Sequence, residues 1–95
     1  MLSLQECIDF SDLSKDEIEA IAEHEHVPEI VAAEIGATLL QSTSGVCLLK
    51  LYLLENIEQA RALGHFEKAA RLEKLYCRFD REHPGADPAQ TELLH

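Results

Sequence analysis

The amino-acid sequence predicts an all-α fold, a compact bundle of four helices in a single domain. Apolar residues recur at the 3.6-residue period of a helix in four successive segments, and capping or helix-breaking residues separate those segments. The length of 95 residues allows one hydrophobic core but not two. We expect helices at about 14–26, 29–42, 45–63 and 65–83, an irregular arm over 1–12 and a flexible tail over 84–95.

The first helix begins with a capping box. Ser14 and Glu17 stand three residues apart, so the serine oxygen accepts from a free backbone N–H while the glutamate reaches back to the cap. Ile18 and Ile21 follow the helical period, and at about 100° per residue Glu25 projects onto the same apolar face. We therefore expect Glu25 to point inward, which is unusual for an acid.

A proline separates the first helix from the second. Pro28 disfavours the helical conformation in Val27, and it suits the first turn of a new helix. The chain should therefore form a corner at 27–28. The second helix is apolar over most of its circumference, which predicts that it is largely buried.

The third helix follows a turn at 42–45, in which Ser44 is the expected N-cap. Its first half, 46–54, is apolar nearly all round, so it needs cover on several sides. A domain this small has little material for that cover. We therefore expect part of this helix to be buried by a second copy of the protein, in a homodimer.

The fourth helix is joined to the third by a tight turn. Gly64 closes the third helix, and the run Gly-His-Phe-Glu-Lys-Ala at 64–69 resembles the middle of a tetratricopeptide repeat, over about one repeat. The sequence departs from that repeat at Glu73, where a second aromatic is usual, and an array needs about three repeats. The resemblance implies a helical hairpin without the peptide binding of the array. Pro84 and Gly85 end the fourth helix.

A second resemblance lies in the corner segment. The run Ala-Glu-His-Glu-His-Val-Pro-Glu-Ile at 22–30 is similar to a stretch in short, acidic, uncharacterised bacterial helical proteins. The match covers a minor part of the chain. It implies a bacterial cytoplasmic origin and no particular activity.

Charge and cysteine content disfavour several classes of function. The chain has 18 Asp and Glu against 8 Lys and Arg, a formal net charge of −10, so nucleic acid and anionic membranes are not expected partners, whereas a basic protein is. The spacing of Cys7, Cys47 and Cys77 suits neither a disulfide framework nor a CxxC pair, which predicts reduced thiols in a cytoplasmic protein. Cys47 and Cys77 lie on apolar faces and are expected in the core. The apolar segments are too short to span a bilayer.

The segment 23–29 contains the only candidate metal ligands with a recognisable spacing. Glu23 and His26 have the Glu-x-x-His spacing of ferritin-like carboxylate proteins, because residues three apart on a helix project the same way. One hypothesis is therefore a site for Fe, Zn or Mn at Glu23, His26 and Glu29. That site would need further ligands from a second subunit.

Two other interpretations of the same segment stay open. In one, Glu23, His24 and His26 are solvated at a helix end, where the helix dipole favours a cationic histidine. In the other, Glu25 or Glu29 is partly buried and pairs with Lys50 or Arg61 of the third helix, a pairing that would fix the register of the helices.

The sequence contains no Gly-rich phosphate loop, no GxSxG motif and no HExxH motif. We therefore expect a non-enzymatic protein-interaction or regulatory module with no cofactor. In this interpretation His24, Glu25, Pro28 and Lys50 form an interaction surface or a structural corner. The alternative is a metal-binding protein with di-iron-like chemistry, whose site is completed across a dimer.

Overall fold

Four α-helices account for most of residues 13–85, the part of the chain that this computed structural model describes. They are α1 (Lys15–Glu25), α2 (Glu29–Leu39), α3 (Thr43–Ala62) and α4 (Phe66–Glu82). No strand occurs within those residues, so the predicted all-α class is confirmed. The expected arm over 1–12 lies outside the described residues, as does the expected tail from residue 86 onward.

The start of α1 forms as predicted. The Ser14 backbone N–H donates to Glu17 Oε1 at 2.8 Å, and the Glu17 N–H donates to Ser14 Oγ at 3.2 Å. This reciprocal pair satisfies backbone donors that the first turn of a helix otherwise leaves without a partner. Ile18 and Ile21 then point into the core, where both are buried.

The central helix is α3, and α1, α2 and α4 all pack against it. It has 20 residues and is therefore about 30 Å long. Its buried residues face all three neighbouring helices, which explains why its first half is apolar nearly all round. Most of the cover that we expected from a second subunit thus comes from the same chain, and the homodimer stays a prediction.

The junction between α2 and α3 differs from the expected one. Ser42, not Ser44, caps α3, because the Gly45 N–H donates to Ser42 Oγ at 3.0 Å. Gly45 lies in the first turn of α3, where a side-chain methyl group would overlap the carbonyl oxygen of Leu39. A glycine is therefore what allows the start of α3 to come so close to the end of α2.

The second helix is less buried than its composition predicts. Only Ala32, Ala33 and Gly36 are buried, while Val31 is 36% exposed and Ile35 is half-buried. The reason is the position of α2, which packs mainly against α1 and α3. No other helix within residues 13–85 covers its outer side.

The third and fourth helices form an antiparallel hairpin. Gly64 has φ +79°, and the His65 N–H donates to the Ala60 carbonyl at 2.8 Å, which closes the turn. Leu63 and Phe66 flank the turn and are 62% and 69% exposed. In residues 13–85 no helix combines the length and the apolar character that crossing a bilayer requires.

Candidate functional site

The corner between α1 and α2 has a defined backbone geometry. His26 ends α1 in the left-handed conformation, with φ 56° and ψ 47°. The backbone N–H groups of His26 and Val27 both donate to the carbonyl of Ala22, and Pro28 (φ −61°) forms the N-cap of α2. The corner expected at 27–28 is therefore present, and the left-handed residue that turns the chain is His26.

The three proposed metal ligands have separate environments. Glu23 forms an ion pair with Lys68 of α4, His26 is exposed at the helix cap, and Glu29 is half-buried in the first turn of α2. Within residues 13–85 no three His, Cys, Asp or Glu side chains are grouped so that they could hold a metal ion. Metal binding at these residues stays a prediction that depends on ligands from outside this part of the chain.

His24 forms the centre of a polar cluster between the end of α1 and α3. Its Nδ1 lies 3.1 Å from Glu25 Oε1, and its Nε2 lies 2.9 Å from Glu55 Oε1 of α3. The imidazole stacks on the Tyr52 ring, with centroids 4.0 Å apart and an interplanar angle of 21°. With a carboxylate at each ring nitrogen, both contacts are hydrogen bonds at once only in the doubly protonated imidazolium. His24 is therefore held by α3 and is not simply solvated at a helix end.

Glu25 and Tyr52 shift each other's titration. The hydrogen bond from the Tyr52 hydroxyl, with smaller contributions from His24 and His26, lowers the pKa of Glu25 below its usual value of 4.5. Burial, together with the charge of Glu25, raises the pKa of Tyr52 to about 12. Glu25 thus faces α3, as its position on the apolar face predicted, but it is half-buried and its partner is Tyr52 of α3.

Lys50 has different partners from those that we considered. Its side chain is 1% exposed, and its Nζ donates to Asp80 Oδ1 at 2.8 Å and to the His83 carbonyl at 2.7 Å, both near the end of α4. The alternative pairing with Glu25 or Glu29 does not occur. A cation at the C-terminus of a helix is favoured by the helix dipole, so Lys50 stabilises the end of α4 against α3.

Two further charged or polar contacts were not anticipated. Arg61 pairs with Glu73 across the α3–α4 hairpin, so it too contacts neither Glu25 nor Glu29. Asn56 is 4% exposed, and its Nδ2 donates to the Ala20 carbonyl of α1 at 2.9 Å. The sequence offered no signal for Asn56, because it lies in the polar second half of the third helix.

A groove of about 870 Å³ runs between α1 and α4, and we call it the α1–α4 groove. Its acidic wall on α1 consists of Asp16, Glu19 and Glu23. Its basic wall on α4 consists of Lys68, Arg71, Lys74, Arg78 and Arg81, and its floor includes the buried Ala20, Leu72 and Leu75. Five of the eight basic residues in this acidic chain thus stand in one row.

The basic wall could have been found from the sequence. Its residues are spaced by three or four positions, which places them on one face of a helix. The net charge of −10 for the whole chain does not reveal this basic helix face. The same face carries Cys77, which lines the groove and is exposed, so our expectation of a core position was correct for Cys47 but wrong for Cys77.

Comparison with known proteins adds no family. No protein-family model, curated protein or solved structure matches this chain. The candidate site therefore rests on the geometry described above.

Proposed function

We propose that this chain is a non-enzymatic cytoplasmic interaction module that binds another protein through the α1–α4 groove. The supporting observation is the groove itself, which sets an acidic helix and a basic helix on either side of an apolar floor. Protein-binding surfaces commonly combine an apolar centre with a charged rim. Opposite charges on the two walls also favour one orientation of a partner over another.

The conformation of the corner supports the same proposal. His26 turns the chain between α1 and α2, and the His24 cluster ties the end of α1 to α3. Asn56 fixes the middle of α1 to α3 by a buried hydrogen bond. These contacts join α1 to α3 at two points, so the acidic wall is presented in a defined position, and a preformed surface loses less entropy on binding. In this proposal the corner residues position α1, which carries the acidic wall, and do not themselves contact the partner.

Retention of proteins from an extract of the source cells tests the proposal. Three immobilised proteins are compared: the wild type, the groove variant Arg71→Ala/Lys74→Ala, and the control Gln41→Glu/Gln59→Glu. Both variants make the net charge more negative by the same amount, and all four positions are exposed. We expect a protein that the wild type and the control retain and the groove variant loses. Retention of the same proteins by all three would refute the groove as the binding surface.

We further propose that the chain forms a homodimer through α2. The exposed Val31 supports this, as do the half-buried apolar residues Ile30, Ile35 and Leu39 on the same helix. An uncovered apolar helix face favours association with a second surface. A dimer built on α2 leaves the α1–α4 groove accessible, because no residue of α2 lines the groove.

A further inference from the structure

We propose that the α1–α4 groove binds a short amphipathic helix of a partner protein, whose apolar edge has acidic residues along one flank and basic residues along the other. This inference rests on the interaction function proposed above and specifies the chemistry of the partner. It follows from three features of the groove: the contacts that join its walls, the charges that remain on them, and its length.

The two walls are joined near the ends of the groove. At one end Glu23 of α1 forms an ion pair with Lys68 of α4. At the other end Arg78 Nη2 donates to Ser14 Oγ at 3.1 Å. These contacts show that α1 and α4 run antiparallel, and they hold the two helices at a set separation.

Between these contacts the charges of both walls are available to a ligand. Arg71 and Lys74 are exposed and form no ion pair or hydrogen bond with any residue in 13–85. The same holds for Asp16 and Glu19 on the opposite wall, again within the described part of the chain. A ligand with both signs of charge complements both walls. A nucleic acid or an anionic lipid would be attracted by one wall and repelled by the other.

The dimensions and the floor of the groove favour a helix as the ligand. From Ser14 to Glu23 the wall of α1 spans ten residues, about 14 Å, which matches two to three turns of a bound helix. A helix laid between two others packs its side chains into their groove, a common mode of peptide recognition. An extended peptide usually adds to the edge of a sheet, and residues 13–85 contain no strand.

The floor limits what the apolar edge of the ligand can be. Ala20, Leu72 and Leu75 are each at least nine-tenths buried, so the floor exposes little apolar surface. Short apolar side chains therefore fit it best, and the aliphatic stems of Arg71 and Lys74 add apolar surface along one side. With little apolar area to bury, the two rows of opposite charge should contribute most of the specificity.

Two synthetic 14-residue peptides test the inference. The first is helical, with an alanine edge flanked by a row of glutamates on one side and a row of lysines on the other. The second has the same composition in an order that mixes both charges on both flanks. Binding is measured by fluorescence anisotropy of the labelled peptides. We expect the first peptide to bind at least tenfold more tightly than the second, and added salt to weaken its binding.

Protein variants show whether the groove is the binding site. Arg71→Ala/Lys74→Ala should weaken binding of the first peptide by about tenfold, since two exposed pairings are lost. The control Gln41→Glu/Gln59→Glu, with the same change in net charge, should leave binding unchanged. The exposed Cys77 gives an independent readout. In a Cys7→Ser background, the bound peptide should slow alkylation of Cys77 by iodoacetamide.

Equal binding of the two peptides, or binding of neither, would overturn the inference. So would a light-scattering mass that falls from dimer to monomer in Arg71→Ala/Lys74→Ala, because a second copy would then cover the groove. Failure of the peptides together with groove-dependent retention of a cellular protein would refute only the partner chemistry. Failure in both experiments would refute the proposed function as well.

Discussion

His26 adopts the left-handed backbone conformation at the end of α1, at a position where helices that end in this conformation usually carry glycine. In this conformation the Cβ atom lies too close to the following carbonyl oxygen, so the corner reduces the stability of the fold. His26 is also exposed, and among the described residues its side chain forms no hydrogen bond or ion pair. His26 therefore turns the chain through its backbone conformation and not through a side-chain contact.

We predict that His26→Gly stabilises the protein by about 0.5–1 kcal/mol, because glycine adopts the left-handed conformation without the Cβ penalty. Chemical denaturation measures the change in the free energy of unfolding. His65→Gly is the matched control, since His65 is an exposed histidine with φ −86°. That control should not stabilise the protein, and an equal gain in both variants would contradict the conformational explanation.

The pair of Glu25 and Tyr52 predicts a dependence of stability on pH. Because the pKa of Glu25 is lowered in the folded state, its stabilising contribution is present above about pH 4.5 and is lost as the pH falls through the folded-state pKa. The pKa of Tyr52 is raised instead, so stability should fall as the pH rises from about 10 to about 12.

Tyr52→Phe should raise the pKa of Glu25 toward its usual value of 4.5, since the hydroxyl that favours the carboxylate is removed. An NMR titration of the Glu25 side-chain carboxyl measures this directly. Tyr76→Phe on α4 is the control and should leave the titration of Glu25 unchanged. An unaltered Glu25 titration in Tyr52→Phe would show that the histidines, not the tyrosine, hold the carboxylate in its charged form.

Between helices, buried polar groups determine how the elements are arranged. Lys50 connects α3 to the end of α4, and Asn56 connects α3 to α1. Each is buried in an apolar interface, where a polar group without a partner is costly, so the helices are favoured only in positions that supply that partner. The two residues therefore select one packing of α1 and α4 on α3.

We predict that Lys50→Ala destabilises the protein by about 3 kcal/mol and Lys50→Met by only about 1–2 kcal/mol. Methionine keeps most of the buried apolar volume, whereas alanine also leaves a cavity. Both variants remove the donor to the His83 carbonyl. Thermal melts of the two variants are compared with Lys74→Met, an exposed control expected to change stability by less than about 0.5 kcal/mol. Equal losses for Lys50→Ala and Lys50→Met would assign the effect to the polar contacts alone.

The contact of α2 with α3 depends on Gly45. Gly45→Ala should destabilise the protein by about 2 kcal/mol or more, because the added methyl group overlaps the Leu39 carbonyl and the helices must move apart. Gly64→Ala is the comparison, since Gly64 has open space around it, and the only cost of a side chain there comes from its positive φ. Its expected loss is about 1 kcal/mol. Unfolding midpoints in denaturant measure both, and a smaller loss at Gly45 than at Gly64 would contradict the close approach.

For the chain as a whole, the distribution of charge and apolar surface predicts its assembly. Light scattering should give a mass of about twice 10.6 kDa, from a dimer through α2. Val31→Glu should reduce that mass to the monomer value, because a charge would be placed in the apolar contact. Gln59→Glu, at an exposed polar position near the end of α3, adds the same charge away from α2 and should leave the dimer intact. A monomeric wild type would refute self-association.

The sequence by itself determined the all-α class, the order and approximate limits of four helices, the capping box at Ser14 and the corner at 27–28. These features depend on residues close together in the chain, through helical periodicity, capping and the constraints of proline. Tertiary structure alone decided that Lys50 meets Asp80, that Asn56 meets Ala20, and that the acidic face of α1 lies across a groove from the basic face of α4. The physical reason is that such contacts join residues distant in sequence, and their pairing depends on how the helices pack on α3.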